Sequence, residues 1–132
     1  MRVEALDHFN IAAHSELIAQ VRDFYVQALQ FTEGERPQFS KGGHWLYAGG
    51  KPLVHLSVEE SPEVARIDAA RSYCDHIALS CIGLAEFESH LRACNVPFTK
   101  NHIERLNQHQ LFCRDPAGVG VELNFRNEAI DG

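Results

Sequence analysis

No apolar run in this chain approaches the ~18 residues that a membrane-crossing helix needs. Cations are also scarce: 12 Lys and Arg stand against 18 Asp and Glu, for a net charge of −6. A nucleic-acid surface needs a basic patch to neutralise phosphates, so neither nucleic acid nor an anionic membrane is an expected partner. There is no C-x-x-C pair. Cys74, Cys81, Cys94 and Cys113 are scattered, which reads as reduced, structural thiols in a cytoplasmic protein. The opening MRVEALDHF has no continuous apolar core and carries early acids, so it does not read as a signal peptide. No glycine pattern resembles a phosphate cradle. Gly42-Gly43 and Gly49-Gly50 read as hairpin turns.

What is present suits one globular domain built from two similar halves. The 132 residues are 45% hydrophobic, enough for a core. Val3 to Ala12 alternates as a strand, with Phe9 and Ile11 on one side and His8 and Asn10 on the other. SELIAQVRDFYVQALQF carries Leu17, Val21, Phe24, Tyr25, Ala28 and Leu29 in one helical stripe, with Ser15 as its N-cap. FTEGERPQF, HWLYAG and PLVHLSV follow as short strands. Residues 59–74 are polar and read as a linker.

The order then repeats. DHIALSC reads as a strand, and GLAEFESHLRACNV as a helix striped by Leu84, Phe87, Leu91 and Cys94. FTKNHIE, QHQLFCRD and VGVELNF read as strands, with a turn at Asp115 to Gly118. The expected fold is α+β: two βαβββ modules, 1–58 and 75–126, forming a cup-shaped mixed sheet with helices outside, and a short tail at 127–132. An internal repeat of this kind outranks any single local assignment.

The repeat aligns metal-capable side chains. His8 precedes His76 by 68 residues, and His55 precedes Glu122 by 67. Parity places each of the four opposite an apolar set: Phe9 and Ile11; Val54, Leu56 and Val58; Ile77, Leu79 and Cys81; Val121, Leu123 and Phe125. The donors share their sides with small or polar neighbours. Imidazoles and a carboxylate suit a divalent first-row metal, able to polarise a bound oxygen. Of the other histidines, His90 reads as the exposed side of a helix. His109 and Asn107 read as lying in a strand that lines the cup.

On LDHFNI, PLVHLSV, DHIALSC and above all RDPAGVGVELNF, essentially the whole chain resembles the vicinal oxygen chelate superfamily. That superfamily includes glyoxalase I, extradiol dioxygenases, methylmalonyl-CoA epimerase, and fosfomycin- and bleomycin-resistance proteins. The resemblance implies a divalent metal (Fe, Ni, Zn, Mn or Co) and a small substrate that offers two adjacent oxygens to it. His8, His76 and Glu122 match the two imidazoles and the carboxylate shared by many metal-dependent members. His55 falls where glyoxalase I has Glu and the epimerase Gln, so it is either a fourth ligand or an acid-base beside Glu122.

Extradiol dioxygenases have a His near the place of His55, acting as acid-base beside iron. They also carry a Tyr where this chain has Phe112, which cannot hydrogen-bond a substrate. Bleomycin-type members generally lack the ligand set. Relatives of this size usually dimerise, some building the site within one chain and others across subunits.

The pocket wall is expected to include Asn10, Arg36, Tyr47, His109 and Phe112. Arg36 could hold a carboxylate, and Trp45 reads as sheet packing. The expected function is a metal-dependent lyase or isomerase of the glyoxalase I type, with Glu122 and His55 moving a proton. The alternatives are an Fe(II) extradiol-type dioxygenase and a non-catalytic small-molecule binding or resistance protein.

Overall fold

A computed structural model describes residues 1–2, 4–61 and 76–128. The chain divides into two compact units, Met1–Ile67 and Asp68–Gly132. Each has the order strand, helix, three strands. The expected linker at 59–74 and tail at 127–132 lie largely outside the described residues.

In the first unit, β1 (Phe9–Ala13), β2 (Thr32–Gly34), β3 (Gly43–Ala48) and β4 (Lys51–Val58) form one sheet in the order β1-β4-β3-β2. β1 runs parallel to β4, and the rest is antiparallel. The parallel pair needs a crossover, supplied by α1 (Ser15–Asp23). One face of the sheet packs on this helix: Val54, Leu56 and Leu46 are fully buried, as are Ile18, Val21 and Tyr25. Each such side chain contributes roughly 1.5–3 kcal/mol by leaving water.

Several local expectations are corrected here. The strand expected over 3–12 is observed as β1 from Phe9, because among the described residues only 9–13 find partners on β4. The N-cap of α1 is His14, whose Nδ1 accepts from Leu17 N–H at 3.3 Å, and Ser15 is the first helical residue. The apolar stripe is carried by Ile18, Val21, Tyr25, Ala28 and Leu29, while Leu17 and Phe24 are half-buried. The helix widens to a π-helical turn at Phe24–Ala28. Leu29 N–H bonds back five residues to Phe24 O, a bulge that alters which side chains face the sheet.

Gly49-Gly50 does make the β3–β4 turn, with φ of 59° and 76°, a backbone region glycine enters without steric cost. Gly42-Gly43 is not a turn. Gly43 opens β3, and a Cβ there would run into the Leu56 carbonyl and lie 2.9 Å from an Arg36 nitrogen.

The second unit repeats the plan. β5 (His76–Cys81), β6 (Thr99–Ile103), β7 (Gln108–Arg114) and β8 (Gly120–Arg126) are ordered β5-β8-β7-β6, with β5 parallel to β8. The crossover helix α2 (Leu84–Ala93) buries Leu84 and Leu91, and Phe87 meets Phe125 edge-on at 5.5 Å. Glu128 accepts from the Gly83 and Leu84 N–H groups at 2.8 and 2.7 Å, so a carboxylate from beyond β8 caps α2. The turn at Asp115 to Gly118 closes as expected. Asp115 accepts from Gly118 N–H through its carbonyl and from Val119 N–H through its side chain. His90 is half-buried beside Cys94, not exposed as the helical pattern suggested. No described helix is long and apolar enough to cross a membrane.

Candidate functional site

In the first unit, strand order stacks three rings. β4 lies between β1 and β3, Asn10 and Trp45 flank His55 in register, and His8 precedes β1 on the Asn10 side. Side chains of alternate residues share a face. His8 therefore lies against one face of His55, at 3.8 Å between centroids and 10° between planes. Trp45 covers the other face, at 4.0 Å and 13°. Trp45 thus packs across the sheet on the His55 ring.

The His55 ring is polarised by its surroundings. Burial pushes its pKa down, and the charge of His8 pushes the same way, against a hydrogen bond to the Pro52 backbone. Proline can only accept, so one ring nitrogen carries the proton. The other, Nε2, is shut from water and has no partner among the described residues. The lowered pKa favours the neutral ring, and the Pro52 contact favours the tautomer with its lone pair on Nε2. His8 is anchored through Nδ1 to Asp7 at 2.6 Å, and this contact lowers the Asp7 pKa.

In the second unit, Glu122 projects from β8. On β7 the register puts Phe112 opposite Glu122 and Gln110 opposite Asn124, so all four share one face. His76 opens the adjacent β5, and its Nε2 lies 3.3 Å from Glu122 Oε2. The other carboxylate oxygen, Oε1, accepts from Gln110 at 2.6 Å.

Gln110 is oriented by a network with a fixed sense. Arg126 donates to Gln108 Oε1, and Gln108 and Gln110 both donate to Asn124 Oδ1. Asn101 donates to Gln110 Oε1. Since arginine only donates, the amides cannot flip without losing bonds. Gln110 was not among the residues expected from sequence.

The expected wall residues divide. Asn10 and Ser57 exchange hydrogen bonds at 2.9 and 3.1 Å. They line, with Arg36, Phe39, Trp45 and His55, a hollow of about 370 Å³. Tyr47 donates to the Glu35 carbonyl and stands over Gly34. Phe112 meets His76 edge-on and joins it in lining a hollow of about 490 Å³ in the second unit.

His109 is a correction. Its register partner is Phe125, so it faces the apolar side of the sheet, opposite to Glu122, where it is buried and stacked on His102 at 4.1 Å. Asn107 is no strand residue but sits at φ 44° between a 3-10 turn and β7. Among the described residues, no three His, Cys, Asp or Glu side chains are gathered to hold an ion. His8 stacks on His55 in the first unit, and His76 pairs with Glu122 in the second.

Neither a protein-family model nor a curated protein matches the sequence. The fold does match solved structures. A glyoxalase family protein from Bacillus anthracis superposes with a TM-score of 0.74 at 24% identity, over 96% of this chain and 100% of that one. An antibiotic binding protein from Streptomyces gives 0.68 at 15%, over 96% and 99%. A lactoylglutathione lyase from Agrobacterium tumefaciens gives 0.67 at 16%, over 95% and 96%. The chain thus has the glyoxalase and bleomycin-resistance fold, as its motifs led us to expect.

Proposed function

We propose that this protein is a metal-dependent enzyme of the glyoxalase I type, a lyase or isomerase acting on a small substrate with adjacent oxygens. The observation that carries the reading is the Glu122 carboxylate, held through Oε1 by Gln110 and facing His76 through Oε2. A divalent ion bound by His8, His76 and Glu122, with His55 as a fourth donor or as an acid-base, would polarise the substrate oxygens. The donor types suit iron, nickel, zinc, manganese or cobalt. The proposal covers both a site within one chain and one shared across a homodimer in the cytoplasm.

The protein's own groups supply the rest. Glu122, with Oε1 held by Gln110, would take the proton from carbon beside a carbonyl. His55 Nε2 is the second site able to accept a proton, its tautomer set by Pro52. In the stack, the rings of His8 and His55 lie nearly parallel, 3.8 Å apart. His8 is exposed and lies ahead of β1.

A second reading, a binding protein without turnover, is supported by the aromatic hollow around Trp45. An assay with nickel or zinc separates the readings. Loss of a hemithioacetal absorbance without oxygen uptake supports the lyase. Iron-dependent oxygen uptake with catechols points instead to an extradiol-type dioxygenase. Small-aromatic binding that is unchanged by added metal points to the binding protein.

A further inference from the structure

The first-unit hollow has a charge at odds with the rest of the chain. The protein carries a net charge of −6, yet the wall contains Arg36 and Lys41 and no carboxylate. Lys41 is already engaged by Glu59. Arg36 has no carboxylate partner among the described residues. It is also held in place: it donates to the Lys41 carbonyl at 3.1 Å, lies 4.8 Å from the Phe39 ring centroid, and rests against Gly43, where no Cβ intervenes. Its Nε is enclosed without an acceptor. A half-buried guanidinium without a carboxylate beside it favours an anionic ligand, since buried charges are normally paired. Beside it stand Phe39, 55% exposed, and Trp45 at 6.4 Å from Phe39.

We propose that this hollow is a subsite for a planar aromatic carboxylate, with the ring beside Phe39 and Trp45 and the carboxylate on Arg36. This rests on taking the hollow as part of the substrate site proposed above, and it names the class of substrate that site receives. Guanidinium pairs with carboxylate through two parallel hydrogen bonds, which an uncharged amide cannot reproduce. The hollow's volume suits one ring with a short substituent.

The test uses metal-stripped protein, so it does not depend on whether the metal centre exists. Trp45 is the single tryptophan, and its fluorescence reports on the hollow. Benzoate is the probe, benzamide its uncharged match, and acetate the ringless control. The expected result is a saturable change with benzoate at least about tenfold tighter than with benzamide or acetate. Arg36→Gln should abolish that preference, and Arg36→Lys should retain part of it, in protein whose circular dichroism matches wild type. Equal binding of benzoate and benzamide, or benzoate affinity unchanged in Arg36→Gln, would overturn the proposal. If Arg36→Gln fails to fold, the wild-type comparison of the three probes decides by itself. Failure of the metal proposal appears separately, as absent metal uptake with this preference intact.

Discussion

Gln110 holds Glu122 by one oxygen only: its Nε2 lies 2.6 Å from Oε1, and Oε2 is left facing His76. Groups that orient a ligand are commonly worth 10–100-fold in metal affinity. Gln110→Leu should therefore weaken zinc or nickel binding by roughly that factor. It should also cost about 1–3 kcal/mol of stability, because Asn101 and Asn124 lose a partner. Calorimetric titration and urea denaturation measure the two effects. Unchanged affinity in a folded variant would remove Gln110 from the site.

The stack of Trp45 on His55 gives an optical readout of the first unit. Nickel bound at or beside His55 should quench Trp45 emission with a sharp end point. The His55→Ala variant then assigns the role of this imidazole. Lost metal content makes it a ligand; retained content with lost turnover makes it an acid-base. A nickel titration that leaves wild-type emission unaltered would place the ion elsewhere.

Acid should loosen the first unit through Glu33. Burial pulls this carboxyl's pKa up, but hydrogen bonds from His44 at 2.5 Å and Arg22 at 2.6 Å outweigh it and hold the pKa below its ordinary value of 4.5. A depressed carboxylate stabilises the fold above its unfolded pKa, and that contribution is lost as pH falls through the folded value. The bridge is partly solvated, so Glu33→Gln should cost only about 0.5–1 kcal/mol at neutral pH. Its stability should also fall less steeply below pH ~4.5 than that of wild type. Parallel acid profiles would show that the bridge contributes nothing.

The thiols give the opposite pH signature. Burial pushes both Cys81 and Cys113 up to about 11, from an ordinary 9.0. The folded state keeps these protons longer than the unfolded chain, so stability should decline as pH rises from about 9 to 11. At pH 8 both should react slowly with iodoacetamide. Mass-resolved labelling checks this, and rapid alkylation of Cys113 in native protein would contradict it.

Much of the fold was legible in the sequence because its signals are local. Period-two alternation marked β4 and β8, a helical stripe marked α2, and Gly49-Gly50 and Asp115 to Gly118 marked turns. What failed was set by tertiary pairing. β1 begins where β4 begins to pair with it, which no propensity records. His14 displaced Ser15 as cap because an imidazole nitrogen reached Leu17 N–H. Gly43 is required by the approach of the Leu56 carbonyl, though it looks like a turn residue.

The residues proposed as donors are picked out by the repeat and their parity. Their supports were not. The Trp45 stack depends on β4 lying between β1 and β3, a non-consecutive order. Gln110 reaches Glu122 only through the β7–β8 register, and that same register turns His109 away.

The central proposal is that His8, His76 and Glu122 hold a divalent ion. Elemental analysis of purified wild type, His8→Ala and His76→Ala tests it most directly. The account predicts one divalent ion per chain in wild type and a marked loss in both variants, each folded by circular dichroism. Full metal content in either variant, or none in wild type after growth with iron, nickel, zinc, manganese and cobalt, would contradict it.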